Sequence, residues 1–139
     1  MTTLAFLKLW SAALGVMFLI DMAWLGAVAK NFYRTHLGHL MRPEVLWVPA
    51  VLFYLIYAAA LVVIVIWPAI ERQSLTRAIA FGALFGLAAY AAYDLTSLAL
   101  MKDFPVAVAL VDLAWGAVLT GGVAGVTYLL AARMGVGVS

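Results

Sequence analysis

Four long stretches of the chain are almost free of charge, and they constrain its fold more than any other feature. They cover residues 9–29, 45–70, 78–101 and 104–132, and three of them contain a single Asp. About 20 helical residues cross the hydrocarbon core of a bilayer, where each backbone N–H and C=O must bond within its own segment. We therefore predict an all-α integral membrane protein with four transmembrane helices and short loops.

The composition agrees with this fold class and excludes a soluble globular protein. Of the 139 residues, 68% are hydrophobic and 10% are charged, and the net charge is +2. Soluble domains are roughly 45–50% apolar and 25% charged. Because the few charges separate the apolar stretches, the basic balance gives no reason to expect nucleic acid as a partner. The chain has no Cys, so neither disulfides nor thiolate chemistry are expected.

We expect one transmembrane domain over residues 1–139, with helices at about 4–29, 45–67, 77–101 and 105–132. Pro68 should lie just past the end of the second helix, because proline interrupts the helical hydrogen-bond ladder. Four spans place both termini on one side of the membrane. The Lys and Arg residues divide four against four between the two faces, so they do not fix the orientation. The densest cluster, from Lys30 to Arg42, favours a cytoplasmic first loop.

The first loop reads KNFYRTHLGHLMRPE from Lys30 to Glu44. Apolar side chains recur in it at helical spacing, which predicts a short interfacial helix at about 31–41. An ordinary basic connector beside anionic headgroups is the alternative. Three polar side chains of this loop are expected at the membrane-face entrance to any buried site: Arg34, His36 and His39.

Asp21, Asp94 and Asp112 are the charged residues that lie inside the predicted spans. Each is eight or nine positions from the charged ends of the first and third loops. At ~1.5 Å of rise per residue, all three lie about 12–14 Å from the same membrane face. A charged side chain at a helix centre costs about 2.5–3.5 kcal/mol on insertion scales. We therefore expect the three side chains to face the bundle interior or a wet cavity.

Hydroxyl and indole side chains lie in or beside this acidic layer. They are Trp24, Tyr54, Tyr57, Tyr90, Tyr93, Thr96 and Trp115. Each of the two Trp residues follows an Asp by three positions and so shares its helix face. Gly82, Gly86, Tyr90 and Asp94 recur every four residues, which predicts close packing of this face on another helix. Together with the three Asp residues, this set is the candidate proton-, cation- or ligand-binding site, and the opposite half of the membrane should be scaffold.

Three carboxylates in one layer of low dielectric constant do not easily all ionise. At ~8 Å separation and an effective dielectric constant of ~20, each pair costs about 2 kcal/mol. The spans contain no Lys or Arg that could neutralise them. Protonation, a bound cation or metal, and hydrogen bonds from Tyr, Trp and Thr donors are the remaining solutions.

The leading hypothesis is a proton- or cation-coupled transporter of a small molecule, with the three Asp residues as exchanging groups. A lipid-modifying enzyme with a carboxylate pair as general acid and base, or an accessory subunit of a membrane complex, is the alternative. A purely structural explanation is that the Asp carboxyls and Tyr hydroxyls only hold the helices together by interhelical hydrogen bonds. His36 and His39 are too few for typical metal chemistry, so no metal or cofactor is expected. The expected partners are the lipid bilayer, a small-molecule, lipid or cation ligand, and a second copy in a homodimer.

Several motifs carry a family resemblance across nearly the whole chain. They are D-x-x-W-L-G in the first helix, F-Y-R-x-x-L-G-H-L in the loop, F-Y-x-x-Y in the second helix, G-x-x-x-G-x-x-x-Y-x-x-Y-D-L-T in the third and V-D-L-A-W-G in the fourth. This pattern resembles the bacterial membrane-protein family DUF2177. The resemblance implies a multi-pass protein of the bacterial inner membrane and implies no particular activity.

Overall fold

The computed structural model of the chain describes residues 1–40 and 46–137. Four of its helices are long and apolar enough to cross a membrane: Thr3–Ala27, Trp47–Glu71, Leu75–Leu100 and Val106–Arg133. Every regular element within the described residues is helical. The predicted all-α class with four transmembrane helices is therefore confirmed.

The helices are α1 (Thr3–Ala23), α2 (Lys30–Leu37), α3 (Trp47–Leu61), α4 (Trp67–Glu71), α5 (Leu75–Leu100) and α6 (Val106–Arg133). π-helical turns at Trp24–Val28 and Val62–Ile66 extend α1 and α3, and a 3₁₀ turn at Gly38–Leu40 follows α2. Side-chain oxygens cap two of the helix starts. Thr2 accepts a hydrogen bond from the Ala5 N–H at 3.0 Å, and Ser74 accepts one from the Arg77 N–H at 3.1 Å.

The second span differs from the expectation at Pro68, which lies inside the span and not past its end. The π-helical turn just before it explains this, because there the Trp67 N–H bonds to the Val62 carbonyl five residues back. Such a wide turn lets the helix pass a proline, which has no N–H to donate. The helix then continues to Glu71.

Glycines bring α5 and α6 into backbone contact. A Cβ on Gly86 would overlap the Gly116 carbonyl oxygen and lie 2.5 Å from Thr120 Oγ1. A Cβ on Gly82 would lie 2.8 Å from the Ala124 Cβ. The predicted small-residue face of the third transmembrane helix therefore packs on the fourth. Asp94 lies on the same face of α5 as Gly82 and Gly86, two turns further along the helix.

The short helix α2 packs against the start of α6 and the connection that precedes it. We call the end of the bundle formed by α2 and the α5–α6 connection the loop end. Phe32 and Leu37 of α2 pack against a buried cluster formed by Phe104 and Val108. A short helix is observed here over Lys30–Leu37, and its interfacial position stays a prediction. Met41, Arg42 and Glu44, which the sequence analysis assigned to the same loop, lie outside the described residues.

The interior away from the loop end is mostly apolar. Its largest fully buried side chains are Leu9, Met17, Leu61, Ile66, Leu119, Val62, Val123, Thr120 and Thr127. The two threonines show that the expected scaffold half is not wholly apolar. The chain ends meet there as well, because Lys8 Nζ donates a hydrogen bond of 2.9 Å to the Met134 carbonyl.

Candidate functional site

Two adjoining cavities lie in the half of the bundle nearer the loop end. The first, here called the Trp cleft, has a volume of about 360 Å³ and is lined by Asp21, Trp24, Leu25, Tyr33, Leu37, Tyr90, Asp112 and Trp115. The second, here called the Asp94 cavity, has a volume of about 470 Å³ and is lined by Phe53, Ala89, Tyr90, Tyr93, Asp94 and Asp112. Tyr90 and Asp112 line both cavities, so each of the three intramembrane Asp residues lines at least one of two neighbouring spaces.

Asp21 is held by donors from two other helices. Tyr54 donates a hydrogen bond from its hydroxyl to Asp21 Oδ2, and Trp115 Nε1 donates to Oδ1 at 3.3 Å. Each carboxylate oxygen of Asp21 thus has one donor. The sequence places Trp115 on the helix face of Asp112, yet its indole bonds to the Asp on α1.

Asp112 accepts a hydrogen bond from the hydroxyl of Tyr33, which comes from α2. Burial raises the pKa of Tyr33 above its ordinary value, and the bond to Asp112 acts in the same direction. The sequence pattern predicts Tyr33 in the loop helix and not in the site. The F-Y-R part of the family motif was the signal that could have identified it.

Asp94 is wholly buried, and neither of its carboxyl oxygens has a hydrogen-bond partner among the described residues. It lies on the α5 face that Gly86 packs against α6, and it shares the Asp94 cavity with Asp112. An ionised carboxylate without a partner is very costly in such a place. Both oxygens of the Asp94 carboxyl are thus buried polar atoms that none of the described residues satisfies.

Trp24 and Trp115 stack on each other in the Trp cleft. Their ring centroids are 4.3 Å apart and their planes are inclined by 10°. Trp24 lies in the π-helical turn that extends α1, and its indole N–H is buried without a partner in the described part of the chain. The stacked pair forms a flat aromatic wall beside Asp21.

Three of the predicted site residues line neither cavity. Tyr54 contacts the site only through its hydrogen bond to Asp21. Tyr57 is buried deeper in the bundle, where its hydroxyl lies 2.7 Å from Thr120 Oγ1. Thr96 is exposed and donates to carbonyls of its own helix, including that of Tyr93 at 3.1 Å. Thr120 was not among the predicted residues, because a threonine in an apolar helix carries no signal of its partner.

The predicted entrance residues also lie outside the cavity linings. Arg34 and His39 are exposed, whereas His36 is half-buried with its ring 4.4 Å from the Phe32 ring and its Nδ1 2.9 Å from the Phe32 carbonyl oxygen. Their neighbours on α2, Tyr33 and Leu37, are the ones that line the Trp cleft. Across residues 1–40 and 46–137 there is no group of three or more His, Asp and Glu arranged to hold a metal ion.

The site residues fall within the part of the chain that matches a known protein family. The model of the family described as "Predicted membrane protein (DUF2177)" matches residues 6–129, which include most of α1 and most of α6. No curated protein and no solved structure is detectably similar to the chain. The match covers far more than half of the 139 residues, and the chain therefore belongs to the DUF2177 family of membrane proteins.

Proposed function

We propose that this membrane protein is a proton-coupled transporter of a small molecule in the bacterial inner membrane, with Asp94 as the proton-carrying group. The observation that carries the proposal is the carboxyl of Asp94, which is fully buried and without a hydrogen-bond partner among the described residues. A structural carboxyl would be expected to bond to a neighbour, as buried polar groups ordinarily do. An ionisable group without a partner at a cavity inside a membrane is typical of proton and ion pathways.

The other two carboxyls have a different role in this proposal. Asp21 and Asp112 each accept a Tyr hydroxyl, and Asp21 also accepts the indole N–H of Trp115. These donors stabilise negative charge, so the two groups supply a fixed negative field. Asp94 then holds its proton in the resting state, because a third charge in the same cavities would be repelled.

Access to the site follows from the positions of the two cavities. The Trp cleft is bordered by Tyr33 and Leu37 of α2, so this helix lies beside one route to the cleft. The Asp94 cavity is bordered by Phe53 and Tyr93, which are 49% and 60% exposed on the outer surface of the bundle. The cavity is thus bordered by lipid-facing rings, and because Asp94 itself is wholly buried, a substrate contacts its carboxyl only after the surrounding side chains shift. We propose that a second copy of the chain completes the pathway in a homodimer.

Proteoliposomes test this proposal with five probes that differ in charge and polarity. Vesicles that contain a pH-sensitive dye receive choline, proline, glycerol, lactate or tetraphenylphosphonium, while potassium and valinomycin hold the membrane potential constant. We expect at least one probe to drive proton movement through the wild-type protein. Asp94→Asn should abolish that movement, and Asp103→Asn, which changes an exposed loop carboxylate, should retain it.

The result that would contradict the proposal is proton movement indistinguishable from that of empty vesicles for all five probes. Equal movement in wild type and in folded Asp94→Asn would contradict the role of Asp94. Size-exclusion chromatography of each variant before reconstitution shows whether the bundle is intact.

An intramembrane lipid-modifying enzyme is the second candidate, and one observation favours it. Asp94 and Asp112 line one cavity with different surroundings, as a general acid and a general base do when their environments hold different protonation states. An enzyme should change the lipid composition of expressing cells, and Asp112→Asn should restore the original composition. Unchanged lipids in cells that express the wild type would exclude this version.

A further inference from the structure

We infer that the Asp94 cavity binds an amphipathic organic cation, with a substituted ammonium or similar group against the carboxyls and its apolar body against the aromatic rings. This inference rests on the proposed function, since it names the substrate class of the same transporter. It is carried by the juxtaposition of the buried, unpartnered Asp94 carboxyl with Asp112 and three aromatic rings around one space.

The charge of the cavity selects a cation. Asp94 and Asp112 are its acidic residues, and none of its six lining residues is basic. The titratable groups that line the cavity with Asp94 are Asp112 from α6 and Tyr90 and Tyr93 from α5, and Tyr33 from α2 adds a further phenol through its bond to Asp112. An anion would meet only acidic and phenolic groups, whereas a cation would replace the proton on Asp94 and satisfy its two orphaned oxygens.

The walls of the cavity select an organic cation. Phe53, Tyr90 and Tyr93 supply three aromatic rings, and faces of such rings attract ammonium groups. A small hard metal ion prefers several oxygen ligands in place of aromatic faces. The volume of about 470 Å³ also falls in the range of cavities that hold drug-sized ligands.

The outer border of the cavity indicates that the ligand has an apolar body. Phe53 and Tyr93 are about half exposed on the surface of the second span and of α5, where the protein meets lipid. A ligand dissolved in the bilayer can enter beside these rings without crossing the loop end, and it contacts the wholly buried Asp94 carboxyl once the surrounding side chains shift. Because cation and proton then compete for the Asp94 carboxyl, one site couples the two by exchange.

A pair of probes with the same shape and opposite charge tests the inference directly. Calorimetric titration compares tetraphenylphosphonium with tetraphenylborate on the wild-type protein in nanodiscs of phosphatidylcholine. We expect saturable binding of the phosphonium, no saturable binding of the borate, and weaker phosphonium binding as the pH falls. Equal binding of the two ions, or borate binding alone, would overturn the inference, and this comparison needs no variant.

Variants locate the site. Asp94→Asn should weaken phosphonium binding at least about tenfold and remove its pH dependence, whereas Asp94→Glu keeps a carboxyl and should keep binding. Phe53→Leu should weaken binding about threefold to tenfold, as expected for a lost cation–π contact. The matched control Phe18→Leu changes a ring that is 52% exposed on α1 and should have no effect. Unchanged binding in folded Asp94→Asn would overturn the assignment to this cavity.

The outcomes separate this inference from the proposed function. Phosphonium binding without proton movement for any probe would support the organic-cation ligand and contradict the transport function. Proton movement driven by glycerol or lactate, with no phosphonium binding, would support the transport function and contradict the organic-cation ligand.

Discussion

At the scale of single residues, the three intramembrane aspartates differ in how many donors reach them. Asp21 accepts two hydrogen bonds and Asp112 accepts one from Tyr33, while Asp94 has none among the described residues. Hydrogen-bond donors favour the charged form of a carboxyl, and burial without donors favours the neutral form. The three aspartates therefore differ in their hydrogen-bond surroundings, and the separate roles proposed for them rest on this difference.

The titration of Tyr33 gives a pH prediction at this scale. Burial and the bond to Asp112 raise the pKa of its hydroxyl, so the folded protein favours the neutral phenol. That contribution to the free energy of unfolding is complete below the ordinary tyrosine pKa of about 10 and declines as the pH rises above it. We expect wild type to lose thermal stability more steeply than Tyr33→Phe between about pH 10 and 12.

The control for this measurement is Thr35→Val, which changes an exposed neighbour on the same helix and should follow the wild-type curve. Parallel curves for wild type and Tyr33→Phe would show that the Tyr33 hydroxyl is not sequestered in the folded state.

The sequence predicts which residues are in the acidic layer better than it predicts their partners. The depth of Asp21, Asp94 and Asp112 follows from counting residues along helices, and all three line the two cavities. Their donors come from other helices, and helix crossing angles and rotations are not encoded in any single segment. For that reason Tyr33 was missed as a site residue, and Thr96 was included although it bonds to its own helix.

At the scale of elements, the contact between α5 and α6 sets the geometry of the site. Gly86 allows the two backbones to approach, and Gly116 receives the ring of Tyr90, so both helices present their polar faces to one cavity. The four-residue spacing predicts this contact because small residues on one face favour close helix packing. The π-helical turn before Pro68 was not predicted, since its apolar sequence does not differ from that of an ordinary helix.

Gly86→Ala tests this contact. The added Cβ would overlap the Gly116 carbonyl oxygen, so we expect a loss of about 1–3 kcal/mol in the free energy of unfolding, as is typical of overpacking. Gly122→Ala is the matched control on α6, because nothing lies within 4 Å of the added Cβ. Thermal unfolding in detergent should separate the two variants, and equal stability would mean that α5 and α6 do not pack as described.

At the scale of the whole molecule, the cavities and their carboxyls are concentrated toward one end of the bundle. That end is covered by α2 and the α5–α6 connection, whereas Lys8 and Met134 join the two chain ends at the other. The number of spans was predictable because apolar length alone decides it. The orientation was not, because the positive residues are balanced between the two faces.

Labelling of single cysteines tests this arrangement, since the chain has none of its own. Thr35→Cys and Asp103→Cys should react with a membrane-impermeant maleimide from one side of sealed vesicles, and Gln73→Cys from the other, because the four spans alternate in direction. All three positions are exposed, so their reactivity reports sidedness and not burial. Reaction of all three from the same side would contradict the four-span arrangement.

The most direct test of the account is infrared difference spectroscopy of the protein in nanodiscs before and after transfer from water to heavy water. The account predicts a carboxylic-acid carbonyl band at neutral pH that shifts within minutes of the transfer, because the Asp94 proton exchanges through the cavities. Asp94→Asn should remove that band, and Asp103→Asn should leave it unchanged. Absence of the band in wild type, its persistence in Asp94→Asn, or a band that does not shift in heavy water would contradict Asp94 as the proton carrier.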